Sequence, residues 1–230
     1  MQVRVAGLDG CQAGWIMVTA PVEGKGSSTV EVVRDLASVF ARIDSGELVA
    51  AAIDIPIGLP DSEPRRCDIQ ARKLIGPRRS SVFPTPYRQV LAADTYEEAA
   101  VLSVDASGKG ISKQAFGILP KIREVDDLIT PARQDSFVEV HPEVCFTVLA
   151  GAPMTWPKRT PDGRQERLHA LRTAFSDVDA ISGRRISGSQ DDDILDAFAA
   201  AWSARNWMTN SYQRLGGDLD SRGLRMEMIA

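Results

Sequence analysis

The chain has 230 residues, of which 43% are hydrophobic and 25% are charged, and this composition excludes a disordered chain and a coiled coil. A chain of this length buries a sizeable core by itself, and its three cysteines are too few and too far apart for a disulfide framework or a thiolate metal site. The net charge of -4 argues against a protein that coats nucleic acid by bulk electrostatic attraction.

The first twenty residues and the apolar runs of the chain indicate in which cellular compartment the protein lies. The first twenty residues contain Asp9 and interrupting glycines, where a signal peptide needs an unbroken apolar stretch. The longest apolar candidate, 48–53, has the length of a strand and falls well short of the ~18 residues that a membrane helix needs. Because the cysteines are also sparse, we expect a soluble cytoplasmic protein.

Apolar patterns predict four strands and one helix in the first part of the chain. The strands fit residues 3–8, 15–19, 29–33 and 50–55. Asp9-Gly10 is typical of the turn between the first two strands. An amphipathic helix fits 36–43, and the nearly continuous apolar run of the fourth strand predicts burial on both faces.

The rest of the chain predicts a helical middle, one more strand and a final helix. Helices, proline-rich turns and basic residues fill 62–132, and 137–140 is a second covered strand. A loop rich in proline, arginine and lysine fits 152–163, and the last strong helix runs from about 191 to 207. This order predicts an α/β protein with a mixed sheet and helices on its faces.

Two segments concentrate positive charge in this acidic chain. Residues 64–79 contain six basic residues and one acid, and residues 106–123 contain four basic residues and no acid. Such a layout binds an anionic polymer on one side of a molecule, although solvated helix faces and loops produce the same pattern. The candidate phosphate contacts are Arg65, Arg66, Arg72, Arg78, Arg79 and Lys121.

Four carboxylates stand in apolar settings. Asp9 ends the first strand, Asp54 lies near the end of the fourth, and Asp193 and Asp196 are three residues apart on the final helix. Taken singly, each has a simpler structural explanation, such as a turn or a favourable place at a helix N-terminus. Asp196 is the exception, because no Lys or Arg between 185 and 205 compensates it locally. Together the four residues favour a metal site.

The donor set indicates which metal this would be. Carboxylate oxygens suit Mg²⁺ or Mn²⁺, and two histidines without paired cysteines give poor support for zinc. Two such ions between carboxylates activate a water and stabilise the leaving oxygen of a phosphodiester. His141, which follows the fifth strand, is either a proton shuttle at this site or, more commonly, a structural hydrogen-bonding histidine.

Seven stretches of the chain match a known pattern. They are GLDGCQAGW (7–15), AIDIPIGLP (52–60), ARKLIGPRRSSVFPTP (71–86), SKQAFGILPKIREVD (112–126), VEVHPEV (138–144), DDILDAFAAAW (192–202) and GLRMEMI (223–229). In these stretches the chain resembles the predicted RNase H-like nucleases of bacteria and archaea, a family long classed as a domain of unknown function. The resemblance implies an RNase H-like α/β fold: a five-stranded mixed sheet, helices on both faces and a helical insertion between strands four and five. It implies one domain over 1–230, with the basic insertion at about 61–135.

The resemblance also implies roles for the acids. Asp9 takes the place of the first-strand acid and Asp54 that of the fourth-strand acid. Asp193 and Asp196 are similar to the Asp-x-x-Asp-Ala-Leu-Ala helix of Holliday-junction resolvases, with Phe198 in place of the leucine. These four residues are the implied metal ligands and catalytic residues, and Glu139 in the fifth strand is a lesser catalytic candidate.

The resulting expectation is a Mg²⁺- or Mn²⁺-dependent phosphodiesterase, a two-metal-ion nuclease acting on DNA or RNA. One alternative is an actin-like or sugar-kinase-like phosphotransferase, which shares the core sheet and an early Asp-Gly. Those families duplicate the module, whereas this chain has room for one copy. The other alternative is a non-catalytic module of the same fold that binds nucleic acid or protein. Metal binding and ATP-dependent stabilisation separate the three.

Overall fold

The computed structural model describes residues 2–23 and 26–230. The strands are β1 (Arg4–Cys11), β2 (Gly14–Pro21), β3 (Thr29–Val33), β4 (Ala50–Ile53), β5 (Phe137–Glu139), β6 (Arg214–Leu219) and β7 (Arg225–Ile229). The helices are α1 (Leu36–Asp44), α2 (Arg66–Leu74), α3 (Tyr96–Ser107), α4 (Lys113–Gly117), α5 (Leu119–Leu128), α6 (Pro142–Ala150), α7 (Pro161–Arg172), α8 (Val178–Ser182) and α9 (Asp193–Met208). Short 3₁₀ turns lie at Gly76–Ser81, Arg88–Ala92 and Ala132–Asp135.

The central sheet has five strands in the order β3-β2-β1-β4-β5. The first three form an antiparallel meander, and β1, β4 and β5 run parallel. Parallel neighbours need crossover connections, and here α1 joins β3 to β4 while α2–α5 fill the segment between β4 and β5. This arrangement confirms the predicted RNase H-like α/β fold class.

Alternation along the strands divides the core into two layers, one on each face of the sheet. Val5 of β1 and Ala52 of β4 face the layer that contains α9, α6 and α7. Ala6 and Leu8 face the opposite layer, which contains α1 and α3–α5. The sheet is therefore covered on both faces, which explains why β4 is a continuous apolar run.

A glycine brings the final helix unusually close to the first strand. A Cβ atom at Gly7 would lie 2.0 Å from the backbone nitrogen of Ala201 and 2.2 Å from the carbonyl oxygen of Ala197. Helix α9 thus lies directly on β1 because one side of the contact has no side chain and the other has only methyl groups. This approach sets the distance between Asp9 on the strand and Asp196 on the helix.

Gly7→Ala is expected to lower the free energy of unfolding by about 1–3 kcal/mol, because the added methyl group must push α9 off the sheet. Denaturant unfolding followed by circular dichroism measures the change. Gly117→Ala is the matched control: a Cβ there meets no atom within 4 Å, so we expect no loss of stability. Equal effects of the two substitutions would contradict the close packing.

Several predicted boundaries were wrong. Asp9-Gly10 does not form the hairpin turn: both residues are in β1, paired with Ile16 and Trp15, and the turn lies at Gln12–Ala13. Gly14 provides the left-handed φ of 131° that closes this hairpin. The apolar pattern did not predict α6–α8 or the C-terminal hairpin β6–β7, which packs on α2 and lies beside β5. Within the described ranges, no helix is long and apolar enough to cross a membrane.

Candidate functional site

A cavity of about 490 Å³ opens at the edge of the sheet where the parallel strands end. Asp9 lies near the end of β1, and Asp54 directly follows β4, its backbone N–H donating to the carbonyl of Leu8 at 3.0 Å. Asp196 comes from the first turn of α9, which packs on both strands. All three carboxylates line the cavity, so residues far apart in sequence meet at one place.

Burial and mutual repulsion make these carboxylates unfavourable as free anions. Burial raises the pKa of Asp9 well above its usual range, and the charges of Asp196, Asp54 and Asp193 raise it further. Burial also raises the pKa of Asp54, and it raises that of Asp196 to about 6 although Lys158 opposes the shift. A cation bound here would relieve the repulsion.

The donor set of the cavity fits a hard divalent ion. Asp9, Asp54 and Asp196 offer carboxylate oxygens, the ligands that Mg²⁺ and Mn²⁺ prefer. Their oxygens are not all within 4.8 Å of one another: within 2–23 and 26–230, the only three candidate ligand atoms that close together come from Cys67, Asp68 and Glu139. Binding at the cavity would draw the three aspartates together.

The fourth predicted ligand, Asp193, stands apart from the cavity wall. Its Oδ2 atom accepts the backbone N–H of Gln190 at 2.7 Å, so the carboxylate holds the turn that precedes α9. Its charge still reaches Asp9 and contributes to the raised pKa there. Asp193 therefore has the contact expected of an acid at a helix start, and Asp196 is the member of the pair that faces the cavity.

Lys158 is a cation that the sequence analysis did not anticipate. Its Nζ atom lies 2.6 Å from Oδ2 of Asp196 and 2.8 Å from Oδ2 of Asp192. No basic residue close in sequence compensates Asp196, as expected, but the loop 151–160 supplies a cation from elsewhere in the chain. The only sequence signal was the richness of this loop in lysine and arginine.

Glu139 and Arg65 form a buried ion-pair network with Asp68. The Arg65 side chain is fully buried and donates to both oxygens of Glu139, at 2.7 and 2.6 Å, and to Oδ1 of Asp68 at 2.6 Å. Its guanidinium also donates to the carbonyls of Ile57 and Gly58. All the N–H groups of Arg65 are thus engaged, and both oxygens of Glu139 accept from it, so these contacts favour a structural role over the predicted phosphate contact and catalytic role. Both residues nevertheless line the cavity.

The same network explains the cluster of Cys67, Asp68 and Glu139. These residues offer three ligand atoms within 4.8 Å of one another, but the Arg65 guanidinium already supplies the positive charge between the two carboxylates. Burial raises the pKa of the Cys67 thiol far above its usual range, so no thiolate is available. This cluster is a structural ion pair.

The remaining predicted phosphate contacts divide into two groups. Arg78 and Lys121 line the cavity, and the exposed Arg79 adjoins Arg78. Lys121 donates to the carbonyl of Gly14 and lies 4.1 Å over the Trp15 ring, so it is held beside β1. By contrast, Arg66 pairs with Asp218 on β6, and Arg72 donates to the carbonyl of Val82 at 2.6 Å; neither lines the cavity.

His141 belongs to the cavity wall. Its Nε2 lies 3.2 Å from the carbonyl oxygen of Ser81, which can only accept, so Nε2 carries a hydrogen. That Nδ1 atom is buried and has no hydrogen-bond partner among the described residues. The wall also contains Glu143, which accepts from the buried Arg167 and was not singled out from the sequence.

Comparisons with known proteins give one family and one solved structure. The family model described as "Protein of unknown function (DUF429)" matches residues 7–221. The structure of RuvC from Thermus thermophilus aligns with 91% of this chain and 98% of that chain, at 16% sequence identity and a TM-score of 0.37. Among curated protein sequences, none matches the chain at a significant level.

Proposed function

This chain belongs to the DUF429 family, and we propose that it is a divalent-metal-dependent nuclease that hydrolyses phosphodiester bonds of nucleic acid. One observation carries the proposal: Asp9, Asp54 and Asp196 come from three separate elements and line one cavity. Two of them are almost fully buried, and such carboxylates cost free energy unless a cation or proton compensates them. Without a bound cation, the three clustered carboxylates lower the stability of the folded protein.

Mg²⁺ or Mn²⁺ held by these three aspartates would activate a water and stabilise the leaving oxygen of a phosphodiester. The chain's own residues provide the surroundings for that reaction. His141 lies in the cavity wall and is held there through Nε2, which donates to the carbonyl of Ser81. Lys121 and Arg78 line the same cavity and would hold the phosphates on either side of the cleaved bond.

The positive rim of the cavity supports nucleic acid as the substrate. Arg78, Arg79 and Lys121 come from the two basic segments recognised in the sequence. Arg78 and Lys121 line the cavity together with the carboxylates, and the exposed Arg79 is next to Arg78 in the chain. All three cysteines are free and buried, in accord with action in a reducing cytoplasm.

Binding of nucleic acid is expected to weaken steeply with salt, and the double substitution Arg78→Ala, Arg79→Ala to flatten that dependence. Each phosphate contact on duplex DNA contributes ~0.9 to the slope of log K against log salt, so losing two contacts lowers the slope by about 2. Fluorescence anisotropy in a salt series measures it. The control Arg133→Ala, Arg172→Ala removes two charges that lie outside the basic segments 64–79 and 106–123 and do not line the cavity, and an equal loss of slope there would contradict the assignment.

The direct test is cleavage of labelled single-stranded, duplex and branched DNA and RNA with Mg²⁺ or Mn²⁺ and with a chelator. We expect cleavage only with the metal ion. Binding without cleavage of any substrate would favour a non-catalytic module. Stabilisation by ATP in place of metal-dependent cleavage would favour a phosphotransferase.

A further inference from the structure

We propose that Lys158 is a resident cation of the aspartate site, whose ammonium group stands in for a second metal ion, so that the chain binds one divalent ion and not two. The inference rests on the proposed function, because it concerns the ions that the nuclease would use. It differs from the two-ion arrangement expected from the sequence.

The contacts of Lys158 carry the inference. Its ammonium lies 2.6 Å from Asp196 and 2.8 Å from Asp192, both distances of charge-assisted hydrogen bonds. The Asp196 side chain is only 3% exposed, so the lysine reaches an oxygen that bulk water scarcely touches. Lys158 therefore compensates the most buried member of the site from within the chain.

The loop that carries Lys158 is fastened at several points. Glu166 of α7 accepts the backbone N–H groups of Thr155 at 2.8 Å and Trp156 at 3.0 Å. The buried Arg167 donates to the carbonyls of Trp156, at 3.1 Å, and Gly163, at 2.9 Å. The turn just before Lys158 is thus tied to α7 by two side chains.

The first turn of α7 is also packed against this loop. A Cβ atom at Gly163 would lie 1.9 Å from the carbonyl oxygen of Pro157, so the helix approaches the loop as closely as a glycine permits. The Thr160 hydroxyl donates to the same carbonyl at 2.8 Å. Lys158 directly follows Pro157, and its backbone is therefore held in place beside Asp196.

A fixed ammonium on Asp196 competes with one of two metal ions. In two-ion sites the ions lie about 3.5–4 Å apart and share carboxylate ligands. The Lys158 ammonium occupies one oxygen of the Asp196 carboxylate. Its positive charge repels a second metal ion from that carboxylate. One ion remains compatible with Asp9, Asp54 and the other oxygen of Asp196.

The test is the number of Mn²⁺ ions bound per chain, counted by equilibrium dialysis with metal analysis and by electron paramagnetic resonance. We expect one ion in the wild type and two in Lys158→Met, with a spin-coupled signal in the variant only. Lys158→Ala should give the same count as Lys158→Met. Arg159→Met is the matched control, since it removes a neighbouring charge that is 74% exposed and has no contact with Asp196; it should bind one ion.

The outcomes separate this inference from the proposed function. Two ions in the wild type, or one ion in both Lys158 variants, would overturn the role of Lys158 and leave the nuclease standing. No bound ion in the wild type or in any variant, with all of them folded by circular dichroism, would overturn the metal-dependent function itself.

Discussion

Asp9→Asn is expected to abolish both metal-dependent cleavage and the rise of Tm on adding Mg²⁺ or Mn²⁺, while leaving or raising the metal-free Tm. The substitution removes a proposed metal ligand and at the same time removes a carboxyl group that is buried close to Asp54, Asp193 and Asp196. If the metal supplies about 4 kcal/mol of transition-state stabilisation, its loss lowers the cleavage rate about 10³-fold. Cleavage kinetics and thermal denaturation with and without Mn²⁺ measure both effects.

The role of Asp9 can also be tested by measuring the free energy of unfolding as a function of pH. A carboxyl whose pKa is raised in the folded state holds a proton that the unfolded chain releases, so the free energy of unfolding falls as pH rises. For Asp196 this fall spans the interval from its ordinary value of 3.8 to about 6 in the folded metal-free protein. Asp9 contributes in the same direction, so the fall should be smaller in Asp9→Asn.

Asp105→Asn is the matched control, because Asp105 is exposed on α3 and makes the same change of charge away from the cavity. It should keep the metal response and the cleavage rate. A less stable Asp9→Asn protein with an unchanged metal response would show that Asp9 is structural, and the nuclease proposal would then fail while the fold stands.

Arg65→Met is expected to lower the free energy of unfolding by about 3–5 kcal/mol. The substitution leaves Asp68 and Glu139 buried, close together and without their shared cation, and removing one partner of a buried ion pair has this order of cost. Denaturant unfolding at neutral pH measures it. If Arg65 instead contacted phosphate, the variant would be nearly as stable as the wild type and would bind nucleic acid more weakly.

Arg66→Met isolates the effect of burial. Arg66 is adjacent in sequence and also pairs with an acid, Asp218, but its side chain is 63% exposed. Exposed pairs contribute about 0–1 kcal/mol, so this variant should unfold almost like the wild type. Equal losses in the two variants would contradict the buried network.

The fold and part of the site could be predicted from sequence because their signals are local. The spacing of apolar residues predicted β3 with its observed bounds. It also predicted the start of α9 to within two residues. Asp9, Asp54 and Asp196 stood out because an acid in an apolar run is locally anomalous, and the resemblance brought them together.

Other assignments depended on contacts between distant parts of the chain. Arg65 and Arg66 are adjacent basic residues, yet one is buried against Glu139, 74 positions away, and the other is at the surface. Lys158 contacts Asp196, which lies 38 positions later in the chain. A local sequence pattern cannot predict a contact between such distant residues. Periodicity reports which face of an element is apolar, whereas the partner of a charge is decided by which elements pack together. The candidate carboxylates were therefore readable from the sequence, and only the tertiary structure decided which charges compensate them.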